Sequence, residues 1–260
     1  MGDPGPRSVR AHRGRYFVAG FVTAALVAGG IALGWTQSRS SGPTYVSVHV
    51  VACQSTYPFP GAQPPLYPPT ITIKEPSSVK GQLAFYSDRY RILAPVLAPK
   101  AWSCSTSLGV DGGYGMAVYP PGQPDTINSS GPAHGSVETV IADGSVVCVG
   151  CSEAIACSVF TTALLNLYPS PCPLTSPHLE SVAYLSGSPS AKSGTAQVYD
   201  PHGVFGSLPQ SGGSNPATGI IDFSAAQVTS ARVLSCVLPG SEAVLCSTIS
   251  SEFVKSEPRR

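Results

Sequence analysis

From Phe17 to Trp35 the chain reads FVAGFVTAALVAGGIALGW, a run without charge in which Thr23 is the one clearly polar side chain. As a helix this stretch rises about 28 Å, close to the hydrocarbon thickness of a bilayer. Tyr16 and Trp35 stand at its ends, where amphipathic rings favour the interface. A segment of this kind partitions the chain. Residues 1–15 form a cytoplasmic basic segment, 16–35 a transmembrane signal-anchor helix and 36–43 (TQSRSSGP) a linker, leaving 44–260 as an extracytoplasmic domain. Arg7, Arg10, Arg13 and Arg15 precede the apolar run and only Arg39 follows it closely. The excess of positive charge predicts a cytoplasmic N-terminus and a membrane contact through Phe17 to Trp35. Secretion after signal cleavage is the alternative, since Ala32-Leu33-Gly34 loosely matches a small-x-small site. The apolar run is longer than the about 7–15 residues of a signal core, which favours the uncleaved anchor.

Charge bears on partners. Of 15 basic and 14 acidic residues, four and one fall in the first fifteen positions, so the remaining 11 and 13 leave the rest of the chain at −2. Such a domain has no electrostatic footprint for nucleic acid. Its 27 glycines and 26 prolines disfavour long helices and favour strands joined by turns, while 42% hydrophobic residues suffice for a packed core.

All eight cysteines follow the apolar run: Cys53, Cys104, Cys148, Cys151, Cys157, Cys172, Cys236 and Cys246. An even number on the oxidising side of a membrane predicts disulfides, although the count alone leaves the connectivity open. Cys236 and Cys246 are expected to pair. Arg232–Cys236 reads as a strand, Leu238-Pro239-Gly240 turns the chain, and Cys246 borders the buried stripe of the helix that follows. The competing expectation joins each of the two to Cys53 or Cys104. Cys148-Val149-Gly150-Cys151 has the spacing of a redox pair, against the reading that Cys148, Cys151, Cys157 and Cys172 form a local staple.

Tyr45–Val51 alternates in size, with Val46, Val48 and Val50 on one face of a strand. Thr56–Pro69 is Pro-rich and is expected to be extended or looped without a sheet ladder, as a spacer, a cover over the core or a polyproline ligand. Ile71–Ile73, Leu83–Tyr86, Val182–Leu185, Thr195–Tyr199, Ile220–Phe223 and Arg232–Cys236 read as strands. Two hairpins are expected. One joins Trp102–Val110 to Tyr114–Tyr119 through Asp111-Gly112-Gly113, and the other joins Val137–Ile141 to Ser145–Val149 through Ala142-Asp143-Gly144. Helices are expected at Cys157–Leu167 and at Pro239–Val254, the latter with Leu245, Ile249 and Phe253 as its buried stripe. The predicted fold is α+β: a mainly antiparallel β-sheet domain with two short helices, preceded by one transmembrane helix. A β-sandwich is the alternative.

Motifs that carry chemistry are sparse. The sequence has no G-x-S-x-G elbow, H-E-x-x-H, phosphate-binding G-x-x-x-x-G-K or EF-hand loop, and no cofactor or metal is expected. His49, His134, His178 and His202 are scattered without ligand spacing, and Asn128 opens a glycosylation sequon. Asp200-Pro201-His202-Gly203 is the one local grouping with catalytic potential, because an Asp can orient an imidazole for base work. The same tetrapeptide also suits a turn in which Asp accepts from nearby backbone N–H groups.

Four stretches together resemble a family of uncharacterised exported actinobacterial proteins. They are LAPVLAPKAWSC (Leu93–Cys104), CVGCSEAIACSVF (Cys148–Phe160), the GG-x-NPA-x-G ending of Asp200–Gly219, and SCVLPGSEAVLC (Ser235–Cys246). The resemblance implies export and paired cysteines and transfers no catalytic residue. The function expected is that of a tethered, non-enzymatic binding or structural module of the cell envelope, with an envelope protein or surface ligand as partner. The alternatives are an exported hydrolase with a site assembled from distant residues such as Asp200 and His202, and a thiol oxidoreductase using Cys148 and Cys151.

Overall fold

A computed structural model of the protein describes residues 44–55, 61–62, 67–88, 94–108, 113–123, 139–145, 156–167, 179–201, 215–225 and 230–256. The expected membrane segment, Phe17–Trp35, lies outside these, and no helix among the described residues is long and apolar enough to cross a membrane. The described architecture is mainly antiparallel sheet with few helices.

The first strand, β1 (Thr44–Ala52), alternates as its sequence predicts, with Val48 buried and Tyr45, Ser47 and His49 exposed. After the two-residue strands β2 (Gln54–Ser55) and β3 (Gly61–Ala62) comes β4 (Thr70–Glu75), which runs antiparallel to β1 from Thr44↔Glu75 to His49↔Thr70. On the other side of β1 lies β5 (Leu83–Ser87), parallel to it, and β6 (Val96–Pro99) pairs antiparallel with β5. The resulting four-stranded sheet has the order β4-β1-β5-β6. Flanking prolines hide β6 in the sequence, but as the last strand of this sheet it tolerates Pro99, which has no N–H for a further ladder.

Cys53 carries the chain from this sheet into a second one of nine strands. Its members are β2 and β3, then β7 (Ser103–Leu108), β8 (Gly113–Tyr119), β9 (Thr139–Ser145), β10 (Ser181–Ser186), β11 (Ser193–Asp200), β12 (Ala217–Ser224) and β13 (Ser230–Val237). The order is β10-β11-β12-β13-β9-β8-β7-β2-β3, antiparallel throughout except for β2 beside β7.

Two expectations are corrected here. Ala142-Asp143-Gly144 does not turn the chain. It runs inside β9, paired with β13 on one side and β8 on the other, so two ladders hold extended a tripeptide whose local preference is a turn. The Pro-rich stretch does contribute a ladder, at Gly61–Ala62, two residues that keep their N–H donors.

Both faces of β12 and β13 are covered. Ile220, Leu234 and Cys236 pack in a core with Val48, Phe85, Leu97 and Met116, while Ile221, Phe223, Ala231 and Val233 pack in a second core with Phe160, Ala163 and Leu164. The first core is closed by α2 (Ala243–Lys255), which lies against β6, β12 and β13 and buries Leu245, Ile249 and Phe253 as its spacing predicts. Pro239 precedes a short 3-10 turn, Gly240–Glu242, so the α-helix proper starts at Ala243. The second core is closed by α1 (Thr161–Leu167) and the turn before it. This helix begins four residues later than expected, because Ala156–Phe160 form tight turns with Val159 and Phe160 N–H both donating to the Ala156 carbonyl. Phe160 is thereby aimed between Phe223 (ring centroids 5.3 Å apart, stacked) and Tyr184 (5.8 Å, edge-on).

Candidate functional site

The strand registers align Thr218, Cys236, Val140, Val118 and Cys104 in one lateral row across five strands. Directly paired residues point to the same side of a sheet, so Cys104 and Cys236 project toward the same core. Three strand steps separate them, about 14 Å at the usual spacing. That is too far for a bond between the two, which needs Cα atoms about 4.4–6.8 Å apart. Each instead reaches out of the sheet. Cys236 is bonded to Cys246 on α2 (Cα–Cα 5.6 Å), and Cys104 to Cys53 at the crossing between sheets (Cα–Cα 5.1 Å). The two bonds fasten the overlying layer to one row of the large sheet, through its helix and through its first strand.

A polar cluster surrounds the Cys53 crossing. Cys53 N–H donates to the Ser87 carbonyl (3.1 Å), and Thr106 Oγ1 donates to the Gln54 carbonyl (3.4 Å). Ser87, Asp88 and Thr106 are all buried there. Next to it, the fully buried Tyr86 hydroxyl donates to the Pro99 carbonyl (2.7 Å) and accepts from Trp102 N–H (3.1 Å). These bonds clamp the turn at which the chain passes from β6 to β7, where Ala101 takes the left-handed conformation (φ 65°). Burial raises the phenol pKa above its ordinary value and the Trp102 N–H opposes that rise. The bonds made by Cys53 N–H, Thr106 Oγ1 and the Tyr86 hydroxyl all run to the chain's own backbone, which makes them a structural joint.

Among the described residues three carboxyl groups are buried: Glu75, Asp88 and Asp200. Paired acid–base work needs two such groups within about 10 Å. Glu75 faces Thr44 at the start of β1, whereas Asp88 follows Ser87, which faces Ala52 at its end. Eight residues of strand separate those positions, about 26 Å, so these two cannot share a substrate atom. Asp200 closes β11, opposite Ala217, and is 5% exposed. His202, its suggested partner, lies outside the described residues, as do His134 and His178, while His49 is exposed on β1. Among the described residues no three His, Cys, Asp or Glu side chains could hold a metal ion together.

Cys148, Cys151 and Cys172 lie outside the described residues, so the redox spacing of the first two has no described geometry. Cys157 is described and is disulfide-bonded, and no described cysteine is free.

Two polar groupings gave no signal in the sequence. Glu75 sits in an ordinary strand-ending TIKEP stretch. Arg232 donates through Nε and Nη2 to Asp222 Oδ2 (3.1 and 2.9 Å) and through Nη1 to the Ser256 carbonyl (2.9 Å), with its guanidinium 4.8 Å from the Phe253 ring centroid. This residue ties the C-terminal end of α2 to the sheet beneath it, at a helix end where a cation is favoured. Comparison of the chain with protein-family models, with curated proteins and with solved structures finds no match.

Proposed function

We propose that the chain is a single-pass membrane-anchored protein of the cell envelope. In this reading the N-terminus is cytoplasmic, Phe17–Trp35 spans the bilayer, and residues 44–260 lie outside as a non-enzymatic module that binds an envelope protein or surface ligand. The observation that carries the location is the state of the cysteines. Cys53, Cys104, Cys157, Cys236 and Cys246 are all disulfide-bonded, a state that persists in oxidising compartments and is rare in the cytosol. The arginines ahead of the apolar segment support the same orientation. The non-enzymatic part of the reading is supported by the separation of Glu75 from Asp88 and by the backbone bonds of the joint at Cys53.

The test is protease treatment of intact cells, combined with thiol alkylation before lysis. Degradation of the domain in intact cells, with Cys53, Cys104, Cys236 and Cys246 resistant to alkylation until reduced, is the expected result. A domain protected until lysis, or thiols that alkylate without reduction, overturns the proposed location.

A further inference from the structure

Glu75 ends β4, opposite the first residue of β1, at the corner that the 36–43 linker joins. Its residue is 2% exposed. Oε2 accepts one long hydrogen bond, from Gly81 N–H at 3.3 Å, and Oε1 is buried with no hydrogen-bond partner among the described residues. A carboxylate in that position keeps its charge with far fewer donors than water supplied, whereas a neutral carboxyl loses much less on burial.

The charged groups on the surrounding elements do not remedy this. Lys80, on the 3-10 turn Ser77–Val79 and its cap, attracts the carboxylate but forms no ion pair with it. Lys74 is the preceding residue on β4 and alternates to the exposed face. On α2, which packs on the same turn, Lys255 and Glu252 are bound to each other at 2.6 Å. Across the strand pair stands Thr44, without charge, and β5 carries no ionisable group before Tyr86.

We propose that Glu75 is a proton-operated lock on the β4–β1 corner, closed tightly while its carboxyl is protonated and loosened when it ionises. The desolvation that favours the neutral form also raises its pKa above the ordinary 4.5, against the smaller lowering by Gly81 N–H and Lys80. The sign follows. The folded state holds this proton to higher pH than the unfolded chain, so the stabilisation is complete below 4.5 and is lost as pH rises through the folded value. The lock depends on the corner alone and holds wherever the domain resides, so its failure and that of the envelope reading are separate results.

The experiment follows thermal unfolding of the full-length chain in detergent against pH, for the wild type, Glu75→Gln and Glu75→Met, with hydrogen exchange of the Thr70–Glu75 amides alongside. Both variants remove the ionisation and Met also removes the unpartnered oxygen. At neutral pH each is expected to melt about 3 °C above the wild type. That gap should narrow as the pH falls through the folded value and be closed below 4.5, and wild-type β4 amides should gain protection over the same fall while β12 and β13 amides do not. A wild-type-to-variant difference that stays constant with pH, or β4 protection that follows β12 at every pH, overturns the lock. Should both variants fail to fold, the wild-type exchange profile decides by itself.

Discussion

Replacing Cys53 and Cys104 together by alanine should destabilise the domain more than replacing Cys236 and Cys246 together. The reason lies in the loops that the two bonds close. Cys53 and Cys104 are separated by 51 residues, Cys236 and Cys246 by 10. In the chain-entropy treatment the longer loop gives about 4 kcal/mol and the shorter about 2.7 kcal/mol. For a domain of this size the losses correspond to melting points lower by about 8–16 °C and about 5–11 °C. Burial acts against this ranking. Cys236 and Cys246 are both buried, whereas Cys104 is only half-buried, so their removal forfeits slightly more transfer free energy, on the order of 0.5–1 kcal/mol. The loops do not overlap, so the two losses should add to about 7 kcal/mol, which is within the whole stability of an ordinary domain.

Residues 41–260, which cluster as one compact unit, retain Trp102 as their single tryptophan. It packs on the first core two residues from Cys104, so its emission reports urea unfolding of the joint directly. Equal losses for the two double variants, or a larger loss for the Cys236–Cys246 pair, would refute the loop argument. A melting point unchanged on loss of Cys53–Cys104 would refute the assignment of that bond as the clasp between the sheets.

Tyr86→Phe removes the hydroxyl that holds the β6–β7 turn and leaves the Pro99 carbonyl and Trp102 N–H without it. The expected loss is about 1–3 kcal/mol, read by urea denaturation, and a variant as stable as the wild type would show that the clamp is idle. Two glycines should respond in opposite ways to alanine. At Gly194 a Cβ would lie 2.7 Å from the Ser186 carbonyl oxygen and 3.0 Å from a Phe160 ring carbon, so the β10–β11 hairpin must shift, at a cost of about 2 kcal/mol or more. At Gly240 a Cβ meets nothing within 4 Å, and the melting point should move little, by less than about 0.5 kcal/mol in stability.

Much of the strand inventory follows from local pattern. The valine alternation of Tyr45–Val51, the short apolar runs at Leu83–Tyr86 and Ile220–Phe223, and the three-residue and four-residue spacing of the C-terminal helix each satisfy one face with their own side chains. Strand, proline turn and helix in that order also bring Cys246 back over Cys236, because both partners belong to one short unit. For this protein, then, the sequence alone determines features whose cause lies within about ten residues: which stretches are extended, where the last helix runs, and the nearness of two cysteines across one turn. Tertiary structure decides features whose cause is distant in the chain. Ala142-Asp143-Gly144 is extended because β8 and β13 hydrogen-bond it from both sides. Cys104 faces Cys53 because β1 and β7 belong to different sheets that the chain joins at that point. Glu75 is buried because the corner of β1, β4 and the turn after it closes over an otherwise ordinary strand end. Backbone hydrogen bonding and burial act between neighbours in space, and for these residues the neighbours lie tens of positions away in the chain.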